Sequence, residues 1–123
     1  MPDSNSSSTV SVLETVANLG VLHEVIVIDP AFADTDAFCE KYGFPLEKSG
    51  NTIVVASKKE PKVYVACVVL AITRLDVNKR VRKLMGVSKA SFASAEEMNA
   101  LTGMEVGGVT PFSLPEGMPL YVD

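Results

Sequence analysis

Two apolar runs rich in β-branched residues, Asn51 to Ser57 and Val63 to Ile72, are separated by little more than Lys58-Lys59-Glu60-Pro61. Runs of this composition read as strands. A polar connection this short turns the chain straight back on itself, because a parallel neighbour needs a crossover of about a dozen residues or more. An antiparallel hairpin is therefore expected in the middle of the chain. Together with the flanking helix-strand alternation, this antiparallel hairpin fits an α+β domain with a mixed sheet better than a doubly wound parallel one.

The flanking segments carry local signals. Val12, Leu13, Val16, Ala17 and Leu19 form a helical apolar face that Gly20 is placed to end in a left-handed cap. From His23 to Asp29, Val25, Ile26, Val27 and Ile28 read as a strand apolar on both faces, closed by Asp29-Pro30 and expected to be central and buried. Asp34 or Thr35 can cap a second helix through Ala37, Phe38, Cys39 and Tyr42, ending at Gly43. Asp76 is placed to cap a third, with Val77, Val81, Leu84 and Met85 on its apolar side and Lys79, Arg80, Arg82 and Lys83 on the other. Ala90 to Ala93 reads as a short strand. Ser94-Ala95-Glu96-Glu97 is a capping box opening a fourth helix that carries Met98 and Leu101 and stops at Gly103. Leu120, Tyr121 and Val122 form the last strand.

With 123 residues and 47% of them apolar, the chain is long enough for one cored domain and too short for two. Residues 1 to 8 are polar, with neither a basic head nor an apolar signal core, and read as a flexible tail ahead of a domain from residue 9 to residue 123. No apolar run approaches membrane-spanning length, so a cytoplasmic setting is the default and no membrane partner is expected. A net charge of -4 argues against broad capture of a polyphosphate backbone, DNA included, and confines any RNA contact to a local patch. Lys58, Lys59 and Lys62 at the hairpin tip, and the cations of the third helix, read as solvated faces before they read as phosphate contacts. Cys39 and Cys67 read as two buried free thiols.

Standard catalytic constellations are missing. The single histidine, His23, falls at the start of an expected strand and reads as a packing or hydrogen-bonding residue. One histidine and two separated cysteines offer no metal-binding spacing, and neither a metal nor a cofactor is expected. What remains is Thr102-Gly103-Met104-Glu105-Val106-Gly107-Gly108-Val109-Thr110-Pro111-Phe112. Paired glycines free the backbone to approach a ligand closely, and Pro111 fixes the exit. Read alone, the segment is also an ordinary tight turn between strands.

The wording TG-x-x-VGGV-x-PF, followed by LP-x-x-x-PLYVD, closely resembles the YbaK/prolyl-tRNA editing-domain superfamily of aminoacyl-tRNA deacylases. Thr52-Ile53-Val54-Val55 resembles that family's "KTLVV" strand, and Arg74-Leu75-Asp76 to Gly86 its "RLD-x-x-KLAKLLG" helix, so the likeness runs from about residue 10 to the end. It implies a single α+β domain whose strongly curved mixed sheet has helices packed around it. It also implies that Gly107 to Pro111 is the loop lying against the aminoacyl ester. Backbone N–H groups of Gly107, Gly108 and Val109 would then stabilise the developing oxyanion, as donors held in place beforehand do in ester hydrolysis. Thr110 would touch substrate and Phe32 would line the pocket for the amino-acid side chain, although Phe32 reads equally as a core aromatic.

Two departures weigh on these expectations. The lysine that the family carries directly before the Thr-Leu-Val strand is Asn51 here, which brings no charge to a phosphate; Lys48, three residues earlier, is the candidate to fill the gap. The chain also stops at Asp123, where the family pattern continues with further strands and a closing helix, so a truncated or naturally shortened domain is expected. Three functions follow. The first is a trans-acting deacylase that removes a mischarged small amino acid from the acceptor end of a tRNA, with water as nucleophile. The second is an impaired homologue that binds aminoacyl-tRNA or an aminoacyl-tRNA synthetase without hydrolysis. The third is a domain recruited for another small ligand.

Overall fold

A computed structural model describes residues 7–104, 109–112 and 114–123. The expected hairpin is its centre: β1 (Gly50–Ser57) and β2 (Tyr64–Leu70) pair antiparallel from Gly50 opposite Leu70 to Ala56 opposite Tyr64. Ser57, buried at the end of β1, organises the turn. Its Oγ accepts from the Val63 N–H at 2.8 Å and lies 3.2 Å from the Lys59 carbonyl, so the sharp return leaves no buried hydroxyl orphaned. β3 (Ala90–Phe92) adds antiparallel to the Val55–Ser57 end of β1, and β4 (Leu120–Val122) adds parallel to β2. The result is an open, mixed sheet in the order β3-β1-β2-β4.

Side chains alternate across this sheet with period two. Val55, Val65 and Cys67 meet Val77, Val81 and Ala90 on one face, while Val54 and Ala56 meet Ala93, Met98 and Val109 on the other. Each face is thus closed by a different helix. α4 (Ala95–Thr102) covers the second, opened by the complete Ser94/Glu97 capping box and ended by Gly103 at φ 70°. The first is covered by a π-helical turn, Val77–Val81, running into α3 (Arg82–Met85). Asp76 caps it as expected, accepting from the Lys79 N–H at 3.1 Å. The Val81 N–H reaches back five residues to the Asp76 carbonyl, and Leu84, expected on the apolar side, is left 49% exposed.

Before the sheet lie α1 (Ser7–Asn18), followed by Gly20 at φ 68°, and α2 (Thr35–Tyr42), capped by Asp34 and ended by Gly43 at φ 75°. Between them one expectation fails. His23 to Asp29 is not a strand of the sheet, and it is not buried: Val25 is 58% and Val27 77% exposed. Among the described residues the run pairs with no strand, although the open sheet leaves edge positions free, so β-branched composition alone does not make it a strand. His23 is correspondingly exposed, its Nδ1–H donating to the Val21 carbonyl at 2.7 Å. Cys39 and Cys67 are buried and free, and burial pushes the Cys67 thiol up, away from thiolate chemistry. The expected tail falls mostly on residues 1–6, outside the described residues.

Candidate active site

β3 pairs only with the last three residues of β1, so the Gly50–Val54 stretch lacks a strand neighbour on that side. The chain leaves β3 through Ala93, whose N–H donates to the Val54 carbonyl at 2.9 Å, and turns into α4. A cavity of about 480 Å3 opens there. Its floor is Gly50 to Val54; Phe92, Ala93, Met98 and Val109 wall one side, and Asp34, Thr35 and Asp36 at the start of α2 wall the other. The size is that of a small-molecule site, and its lining mixes apolar and polar side chains.

Of the residues singled out in the sequence, Asn51 and Val109 share this cavity. Asn51 projects from β1 with its Oδ1 accepting from the Thr35 hydroxyl, which leaves the amide N–H groups as its remaining donors. Lys48 ends a 3-10 turn, Leu46–Lys48, and lines a neighbouring hollow of about 340 Å3 with Phe38 and Phe44; the two hollows share Thr35 and Gly50. Thr110 holds its own turn together, its Oγ accepting from the Phe112 N–H at 3.2 Å and lying 2.9 Å from the Phe112 carbonyl, with half-buried Pro111 enclosed between. Phe32 stands apart from both hollows: it meets Tyr42 edge to face at 6.5 Å, with the Lys41 ammonium 5.3 Å from its ring centre. Gly107 and Gly108 lie outside the described residues.

Thr35, Asp36, Phe92 and Met98 contribute walls that the sequence did not single out for this purpose. Their local signals concern other tasks, as helix start, strand and helix face; their convergence depends on the sheet order. Behind the wall, the Tyr64 hydroxyl donates to Glu97 Oε2 at 2.6 Å, while Glu97 Oε1 accepts from the Ser94 N–H at 3.0 Å. This pair ties β2 to the start of α4. The Tyr64 bond, then the Ser94 contacts, hold the Glu97 carboxyl below the usual range, and the same bond raises Tyr64. Among the described residues no group of His, Cys, Asp and Glu is arranged to hold a metal, and no helix is long and apolar enough to cross a membrane.

Fold and cavity together define an α+β domain with a ligand-sized site at an interrupted sheet edge. The family model described as an aminoacyl-tRNA editing domain matches residues 29–123, and the chain belongs to that family. Among solved structures it is similar to hypothetical protein APE2540, with a TM-score of 0.79 and 25% identity over 92% of this chain and 73% of that one. It is also similar to "a putative trans-editing enzyme for prolyl tRNA synthetase", with a TM-score of 0.77 and 24% identity over 96% of this chain and 73% of that one. A computationally designed epitope scaffold has the same fold, with a TM-score of 0.76 and 21% identity over 96% of this chain and 73% of that one.

Proposed function

We propose that this protein is an aminoacyl-tRNA deacylase acting in trans, which hydrolyses the ester between a mischarged small amino acid and the terminal ribose of a tRNA. The observation that carries this reading is that Asn51 and Val109, the residue next to Gly108, line one cavity of small-ligand size. Water attacks the ester carbonyl carbon, the bond to the ribose oxygen breaks, and the ribose hydroxyl recovers a proton. Main-chain N–H groups of Gly107 and Gly108 stabilise the oxyanion. Asp34 and Asp36 at the mouth complement the free α-ammonium group of the substrate, and the apolar wall of Ile53, Val54, Met98 and Val109 suits a short uncharged side chain.

A second reading, binding without turnover, is favoured by one observation: the position of the family lysine is held by an uncharged Asn51 whose Oδ1 is already engaged by Thr35. Deacylation assays on tRNAs charged with alanine, cysteine, serine and threonine separate the two. The hydrolase reading expects turnover of at least one, lost on Gly107→Val; turnover of none favours the binding module. Asn51→Lys is expected to raise kcat/KM or affinity by roughly one to two powers of ten, the effect of about 1.5–3 kcal/mol from one charge-assisted contact. If both stay unchanged, the missing charge is not what limits the protein.

A further inference from the structure

Around the outer end of β3, away from the candidate active site, Lys58, Arg82 and Lys89 surround a polar cleft of about 330 Å3 together with Asn78 and Ser88. They come from three places: the end of β1, helix α3, and the approach to β3. Among the described residues no carboxylate lines the cleft, although the protein as a whole is acidic. The backbone brings the two lysines together, and the arginine is held in place. The Lys58 N–H donates to the Lys89 carbonyl at 3.0 Å, which sets the two lysines' backbones side by side. The half-buried Arg82 guanidinium is anchored by Nε–H to the Asn78 carbonyl at 2.9 Å and by one terminal N–H to the Val87 carbonyl at 3.4 Å, which leaves three of its five donors uncommitted. Positive charge gathered around an arginine that is oriented in advance is what an anion requires, and arginine suits phosphate in particular.

The cleft and the candidate active site lie at opposite ends of the same edge strand. β3 is three residues long, roughly 10 Å at about 3.3 Å per residue. Phe92 closes it, 61% exposed, on the same sheet face as Ala90 of the cleft and also lining the active-site cavity. An exposed aromatic between a cationic cleft and a cavity is the arrangement by which single-stranded nucleic acid is followed, bases stacking on rings while phosphates meet cations. We propose that the single-stranded 3′ end of the tRNA runs along β3, with a backbone phosphate in the Lys58/Arg82/Lys89 cleft and a base stacked on Phe92, before its terminal ester enters the cavity.

The identity of the nucleic acid rests on the deacylase reading; the path along β3 rests on the geometry. It is tested by the affinity of the protein for an uncharged RNA hairpin with a tRNA acceptor stem and single-stranded 3′ end, measured across a salt series. Lys58→Gln and Lys89→Gln, both exposed and expected to leave the fold intact, should each weaken binding about three- to ten-fold at low salt, and the double variant should reduce the slope of log affinity against log salt by up to about 0.7, the counterion release of one single-stranded phosphate. Phe92→Ala should weaken binding about five-fold or more with the slope preserved, because stacking releases no counterions. Lys83→Gln, on the same helix but outside the cleft, should leave the slope within error of the parent. With charged tRNA the double lysine variant should raise KM and leave kcat unchanged. Unchanged slope and affinity within two-fold in that double variant would overturn the path. If the slopes change as stated but the parent hydrolyses no charged tRNA, the path stands and the hydrolase reading falls; if the parent hydrolyses charged tRNA and the slopes do not change, the path alone falls.

Discussion

Glu97 serves two elements with one carboxylate, closing the capping box of α4 and accepting the Tyr64 hydroxyl from β2. Because those bonds favour its charged form, its folded-state pKa is depressed. The stabilisation is therefore present above the ordinary glutamate range and lost as pH falls through the lowered value. For Tyr64 the shift is upward, so its share is present below the ordinary tyrosine range and is lost as pH climbs through the raised value. Thermal melts from neutral to acid pH are expected to show an acid-side loss of Tm in the parent that is smaller in Tyr64→Phe, which has no hydroxyl to donate. Equal acid-side slopes in the two proteins would mean that the bond is not formed in solution. The capping half of this arrangement was legible in the sequence, because Ser94 and Glu97 lie three residues apart. The Tyr64 half was not, because its partner is 33 residues away.

Caps and stops were the most readable elements. Asp34, Asp76 and Ser94 each accept from a backbone N–H of the helix they open, and Gly43 and Gly103 take the left-handed conformation that ends theirs. Such chemistry involves a side chain and the next few residues only, so a sequence contains all of it. Ser94→Ala is expected to cost about 1 kcal/mol in urea denaturation, the usual loss of an N-cap; a change below a few tenths would show that Glu97 alone sustains the start of α4. The hairpin was readable for a related reason, since its short polar connection leaves one topology open. Strand membership elsewhere was not. His23 to Asp29 has the composition of a buried strand, but a strand exists only with a ladder, and a sequence does not state which ladders form. The π-helical turn at Val77–Val81 was hidden as well, because a 3.6-residue period assumes the regular bonding that this turn breaks. The cavity walls follow the same division: Asn51 and Val109 were found through motif wording, whereas Phe92 and Met98 needed the sheet order.

At the scale of the whole molecule, stability is concentrated between the two sheet faces and their covering helices. Val55, fully enclosed between β2, β3 and the π-helical turn, should cost about 2 kcal/mol when changed to alanine, from lost burial plus an unfilled void. Val27, 77% exposed, should change stability by no more than about 0.5 kcal/mol when replaced by threonine. Chemical denaturation of both variants tests the division directly: a loss above 1 kcal/mol at Val27 would mean that this segment is packed in solution. The largely exposed Val25-Ile26-Val27-Ile28 run also bears on how such a protein behaves in a crowded solution. Four consecutive apolar side chains of high β propensity, with main-chain groups outside any ladder, form the kind of segment that stacks with copies of itself into fibrils. Glu24 on one flank and Asp29-Pro30 on the other supply like-charge repulsion and a missing amide hydrogen, the two features that most directly stop such stacking from propagating.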